Sequence, residues 1–397
     1  MKSISDRNES SLRILVLGYL VRGPMGGMAW HHLQYVMGLR ALGHDAWFLE
    51  DSGDTEYSCY DPSRGITGKD PTYGLAFTAD CFERVGLRDY WAYHDAHTGR
   101  WHGPASSRIR ELVSGADLLI NLSCSHAARP WFDDIAVRVL VDTDPLFTQI
   151  RHLTNPDRRA LAERHNRFFT FAGNIDAADC TIPTDGFPWK ATRQPVVIDA
   201  WPNTPPPRDA CLSTVMQWDS YQPLEYMGRR YGMKSDMFSD FLDLPTRSMA
   251  RFELAVGGGA IPRALLRENG WNLQDPLVVA ADPWSYQEFI RRSQGEFTVA
   301  KEGYVASRSG WFSERSAAYL ASGRPVVTQD SGFSDWLPTG EGLFAFKTPD
   351  EAQAACDEVF RRREVHGAAA REIAEVHFDA RKVLNDLLEQ SMESTSE

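Results

Sequence analysis

Ser309-Gly-Trp-Phe-Ser-Glu-Arg-Ser-Ala-Ala-Tyr-Leu-Ala-Ser-Gly-Arg-Pro-Val-Val327 is the stretch on which the reading of this chain turns. A loop enters a helix near Ser313, Gly323 stops that helix, and Pro-Val-Val opens a short apolar strand. Amide groups at such a helix start favour a bound anion, and Arg315 adds positive charge. The same rhythm extends to either side. Strands are expected at Leu212–Trp218, Phe252–Val256, Phe297–Val299 and Pro325–Thr328. Helices are expected at Pro262–Asn269, Ser285–Ser293 and Ser313–Ala321. Thr348-Pro-Asp-Glu351 is a capping box with proline in the first turn of a late helix.

The N-terminal half follows the same alternation. Leu12-Arg-Ile-Leu-Val-Leu-Gly18 reads as a buried strand. A glycine-rich loop follows, then a helix over Met28–Leu42 that stops at Gly43, then a strand over His44–Leu49. Further strands are expected at Asp117–Asn121, Val137–Asp142 and Phe168–Ala172, and a helix at Ile109–Val113. This is the building block of open parallel sheets. Residues 52–105 are aromatic and weakly periodic, and read as inserted helices and loops near an acceptor pocket. Core packing accounts for those aromatics equally well.

With 397 residues, 43% of them hydrophobic, the chain can fill two domains. Residues 1–11 read as a frayed polar tail and 12–190 as the first domain. Residues 191–207, rich in proline, read as a semi-rigid linker. The second domain is expected over 208–375, with a C-terminal helix and tail over 376–397 packing on the first. Six scattered cysteines read as reduced thiols, which suits a cytoplasmic protein. No apolar run is long enough to span a bilayer. A net charge of −12 argues against a nucleic-acid partner.

Several constellations can carry chemistry. In Gly23-Pro-Met-Gly-Gly27, Gly26 and Gly27 let a ligand approach the start of the first helix, or simply form a turn. It is not a dinucleotide fingerprint. His31 and His32, in the first turn of that helix, are candidate general bases, with a packed histidine as the plain alternative. Asp142-Thr-Asp144 places two carboxylates at a strand end, so Asp144 is a base candidate or the acid of a structural turn. His126 is a weaker candidate of the same kind. Val256-Gly-Gly-Gly259 offers Gly258 and Gly259 to a phosphate or sugar, or forms a tight connection.

Taken together, the chain resembles the GT-B glycosyltransferases. Ala321-Ser-Gly-Arg-Pro-Val-Val327 is similar to their helix-to-strand passage beneath the donor, and Asp330-Ser-Gly-Phe333 to the loop after it. Gly27–Leu42 with Gly43-His44 resembles their first helix and strand. Ala369-Arg-Glu-Ile-Ala-Glu-Val-His-Phe378 resembles their terminal helices. The resemblance implies an α/β chain with two Rossmann-like domains facing across a cleft and C-terminal helices crossing back to the first domain. It also implies a nucleoside diphosphate sugar bound by the second domain, with Ser309, Gly310, Trp311, Phe312, Ser313, Arg315 and Lys301 near the diphosphate.

Where many retaining members carry two Glu, this chain has Trp311 and Ala318. The Arg and Lys that usually follow the first strand of the donor domain have only distant counterparts in Arg229, Arg230 and Lys234. Asp142-Thr-Asp144 resembles the metal-binding D-x-D of a different glycosyltransferase class, but the fold context differs and no metal site is expected. The expectation is metal-independent sugar transfer to a small-molecule or glycan acceptor, with no cofactor. A non-catalytic nucleotide-sugar binder, a sugar-nucleotide epimerase and a dinucleotide-dependent oxidoreductase remain alternatives.

Overall fold

The computed structural model describes residues 11–127 and 129–393. They form two compact units. The first is built from the chain up to Thr143, from Asn155–Phe169 and from Ala380 onward. The second takes Asp144–Thr154 and Thr170–Asp379.

In the first unit, Arg13–Leu17 is central, with Asp45–Asp51 and Leu118–Leu122 on its two sides. Trp91–Asp95 then Arg100–His102 extend one edge, and Val137–Asp142 then Arg167–Thr170 the other. Neighbours from Val137–Asp142 through Trp91–Asp95 pair in parallel; Arg100–His102 is antiparallel. Both faces of Arg13–Leu17 are covered, which is why its alternate residues are all apolar after Arg13. Helix Gly26–Ala41 covers one face. Gly38 admits a neighbouring helix, Ala380–Met392, because a Cβ there would stand 2.5 Å from Leu384 Cδ1. That C-terminal helix therefore packs on the first one.

The second unit holds a six-stranded parallel sheet in the order Asn272–Gln274, Phe252–Gly257, Leu212–Gln217, Gly295–Thr298, Val326–Gln329, Leu343–Phe346. Its core is notably aromatic: Trp218, Phe238, Phe252, Trp271, Phe297 and Phe346 cluster there. Part of the chain's tryptophan content is thus spent on packing. The capping box at Thr348 and Glu351 forms in both directions.

Two expectations change. Residues 52–105 do not form only helices and loops: Trp91–Asp95 is a strand of the main sheet. The proline-punctuated stretch is pinned within the second unit. Trp201 is buried there, its carbonyl accepts from Arg371, and the Thr204 carbonyl accepts from Arg324.

Candidate functional site

In the second unit, the Ser309–Phe312 loop turns tightly into helix Glu314–Ala321. Gly310 has φ +71°, and a Cβ there would meet Asn174 at 2.7 Å, so glycine is required. The Gly310 amide donates to the Ser331 carbonyl, and the Trp311 amide to Ser309 Oγ. Trp311 stacks on Tyr304 at 4.4 Å, and Phe312 is buried against Phe378. Ser313 caps the helix by accepting from the Arg315 amide. Among the described residues, no hydrogen bond engages the Ser313 or Glu314 amide. The anion-facing part of the loop therefore narrows to the helix start. Gly258, at φ +117°, and Gly259 are exposed after strand Phe252–Gly257, with open space where a Cβ of Gly259 would lie.

Arg315 does not offer its charge outward. Its Nε pairs with Glu296, while Nη1 and Nη2 donate to the Val215 carbonyl at 3.0 Å and Thr298 Oγ1 at 3.1 Å. The guanidinium is consumed in tying two strands to the helix. Lys301 is likewise engaged: its Nζ lies 2.7 Å from Asp144 Oδ1 and 2.9 Å from the Tyr221 hydroxyl.

Asp144 is the hub of that second cluster. It also accepts from Tyr304, Tyr221 and Arg151. Burial pushes its carboxyl up, but Lys301 and Arg151 outweigh that and hold it at about 2. A carboxylate so stabilised is a poor proton acceptor, so Asp144 is corrected from base to organiser.

Lys234, in the sequence only a distant counterpart of the basic residues that usually follow the first donor-domain strand, stands out in the structure. It opens the short helix Lys234–Phe238, is only 8% exposed, and has no hydrogen-bond or ion-pair partner among the described residues. Burial drives its pKa well below the ordinary lysine value; Arg315 and Lys301 push the same way, and Glu296 and Glu314 oppose them. Charging the amine in that setting is costly without a further anion.

In the first unit, His32 is corrected as a base. It is fully buried, its Nδ1 is bonded to the Met28 carbonyl at 2.8 Å, and its Nε2 accepts from the Tyr19 amide at 3.2 Å. Both nitrogens are used, and burial holds the ring neutral. Gly18 exists to make room for it, since a Cβ there would stand 2.1 Å from the ring. His31 is 7% exposed and packs edge-on against His32 and Tyr35. Gly26 and Gly27 are the first helical residues, and Met25 supplies no side-chain cap. His126 is buried and held neutral, at about 4.

A different group stands at the carboxyl ends of these strands. Asp51 and His94 face each other across parallel strands, with His94 Nδ1 2.7 Å from Asp51 Oδ2. Arg129 grips the same carboxylate with Nε at 2.9 Å and Nη2 at 2.7 Å. Burial opposes ionisation, yet His94 and Arg129 hold Asp51 well below the usual carboxylate range. Nearby, the buried Glu50 accepts from the Leu20, Val21 and Arg22 amides and so shapes the glycine-rich loop. No local motif announces either group. The one signal was the Glu50-Asp51 pair at a strand end.

No known family profile matches the chain, and no curated protein matches it. Solved structures do. An alpha-glucosyltransferase in complex with UDP-glucose and DNA containing an abasic site aligns with a TM-score of 0.62 at 10% identity, over 96% of this chain and 100% of that one. Anabaena Alr3699/HepE, in complex with UDP and glucose, gives 0.54 at 12% identity over 96% and 99%. AviGT4, a glycosyltransferase of avilamycin A biosynthesis, gives 0.53 at 12% over 96% and 97%. The fold is thus the GT-B fold of glycosyltransferases. One expectation is overturned: nucleic acid cannot be set aside as a partner, because the alpha-glucosyltransferase structures hold DNA. Net charge is a whole-molecule sum and does not report where cations gather.

Proposed function

We propose that the chain is a glycosyltransferase that takes a sugar from a nucleoside diphosphate donor held by the second unit, without a divalent metal. The observation that carries this reading is Lys234: a buried lysine with no hydrogen-bond or ion-pair partner among the described residues, whose charge is disfavoured by burial and by Arg315 and Lys301 and only partly supported by Glu296 and Glu314. A diphosphate supplies the missing anion. As the sugar leaves, charge grows on that diphosphate, and a fixed cation with helix-start amides stabilises it. Such cations do the work that a metal does elsewhere. UDP, present in the alpha-glucosyltransferase and HepE structures, is the first nucleotide to try. Six free cysteines support a reducing, cytoplasmic setting.

The test is a thermal-shift panel of UDP, GDP, ADP and their sugars, with and without magnesium. Saturation at 100 times the dissociation constant stabilises by about 2.7 kcal/mol. Stabilisation by one base, unaffected by magnesium and lost in Lys234→Met, supports the reading; indifference to every nucleotide refutes it. Transfer is then sought with saccharide acceptors and a DNA duplex. A second reading, a binder without turnover, is favoured by Ala318 and Trp311 at the positions where two Glu stand in many relatives of this fold. Nucleotide binding with neither transfer nor donor hydrolysis would establish it.

A further inference from the structure

The group around His94 in the first unit has a feature that packing alone does not explain. Asp51 is ionised and accepts only, so the bonded His94 Nδ1 is the donor. The other ring nitrogen, Nε2, is reached by no hydrogen bond among the described residues. Asp51 itself cannot turn away, because Arg129 and the Gly53 amide also hold it. The imidazole is therefore fixed in orientation, as a histidine kept by a second partner is.

Two indoles flank that ring. The His94 ring lies 4.8 Å from Trp101 and 5.2 Å from Trp131, and the two indoles are 6.1 Å apart. Trp131 is 38% exposed, whereas the adjacent Phe132 is buried. A large exposed indole beside a preset polar atom is costly to leave wet, and it suits a ligand with an apolar face and a polar edge.

Charge narrows the ligand. Arg129 is spent on Asp51 and on Asp54, whose side chain is 77% exposed. Arg22 lies 3.8 Å from Glu50, and His126 is kept neutral by burial. Arg129, Arg22 and His126 thus offer little charge to a ligand, which favours a neutral one.

We infer that His94, Trp101 and Trp131 form a subsite for a neutral sugar ring, with the C–H face of the ring against Trp131 and a hydroxyl hydrogen-bonded to His94 Nε2. Resting on the glycosyl-transfer reading, that saccharide is the acceptor. Asp51 is a positioning residue, acting through His94.

The test uses the full chain and saturation-transfer NMR with methyl glycosides of glucose, galactose, mannose and N-acetylglucosamine, and with cellobiose. Binding of at least one is expected. Trp131→Ala and His94→Leu should each weaken it about tenfold, the size of one stacking or hydrogen-bonding contact. In transfer assays the acceptor KM rises while the donor KM holds. His94→Gln, which restores a polar edge, recovers part of the loss, a result that a purely structural histidine would not give. The inference is overturned if no saccharide binds the unaltered protein, if the variants bind as tightly, or if a DNA duplex alone protects Trp131. Nucleotide thermal shifts, measured on the same samples, report separately on the donor reading. Their absence refutes transfer and leaves the saccharide result to stand or fall by itself.

Discussion

Replacing Lys234 with methionine should make the free protein more stable and the donor complex weaker. Lys234 is 8% exposed and has no anionic partner among the described residues, so the folded chain carries the cost of desolvating an ammonium ion. Methionine keeps the volume of the stem and removes that cost, a gain of about 1–2 kcal/mol, scaled down from fully buried charges because water still reaches the site. For a unit of this size that is a rise of roughly 2–8 °C in melting temperature. The same change deletes a charge-assisted contact to phosphate, worth about 1.5–3 kcal/mol, or roughly a 10–150-fold loss of affinity. Differential scanning calorimetry of the free chain and titration with UDP, or with whichever nucleotide stabilises it, measure both. The opposite signs are the point. A lysine that merely packs would lower the melting temperature and leave nucleotide affinity alone. That outcome would refute the role given to Lys234 and remove the main support for the donor site.

Three further outcomes follow from the same geometry. Asp144→Asn leaves Lys301 and Arg151 facing a neutral amide, and should cost about 2–3 kcal/mol in urea unfolding, less than for a fully buried pair because Asp144 keeps 22% side-chain exposure. A second change, Lys301→Met, should recover part of that loss, whereas strictly additive losses would argue against coupling. Burial holds His126 and His165 at about 4, against 6.5 in the unfolded chain. Their contribution is complete above pH 6.5 and is lost as the pH falls towards 4, because the unfolded chain takes up the protons first. The loss is about 3 kcal/mol for each, seen as a falling melting temperature between pH 7 and pH 4.5, and a flat profile would contradict it. Arg324 is 1% exposed and donates to the carbonyls of Thr204, Arg291, Ser322 and Gly323. Arg324→Met strands those acceptors and should cost about 3 kcal/mol or more, with Arg324→Lys recovering little because an ammonium lacks the planar fork.

The fold was legible because its signals are local. Short apolar runs ending in glycine mark parallel strands, and Ser309–Val327 places helix and strand within a residue or two of where they stand. Trp91–Asp95 escaped because a five-residue strand ending in His94 and Asp95 shows neither an apolar run nor alternation. The site was less legible, since its logic is tertiary. The charge of Arg315 is visible in the sequence; its cancellation by Glu296, 19 residues away and on another element, is not. His32 has the right chemistry for a base in the right turn of the helix, yet the room left by Gly18 and the amide of Tyr19 turn it into a packing group. The Asp51–His94 pair depends on strand register across 43 residues, which no local window contains.

That contrast bears on the donor site proposed for the second unit. Of the three buried cations gathered there, two are neutralised internally, Arg315 by Glu296 and Lys301 by Asp144. The pairs are not idle. Burial makes charging Lys234 costly in the free protein; Arg315 and Lys301 add to that cost and Glu296 offsets part of it. A nucleotide diphosphate arriving there relieves that expense as well as making its own contacts, so part of the binding energy is stored in the folded chain beforehand. Selectivity for dianions over monoanions is then expected from Lys234 and the helix-start amides together, which a ligand with charge to spare can satisfy at once. On this reasoning UDP should bind more tightly than UMP by more than one phosphate contact accounts for. The excess should shrink in Lys234→Met. Equal affinity for UDP and UMP would mean that the cation cluster serves the fold alone.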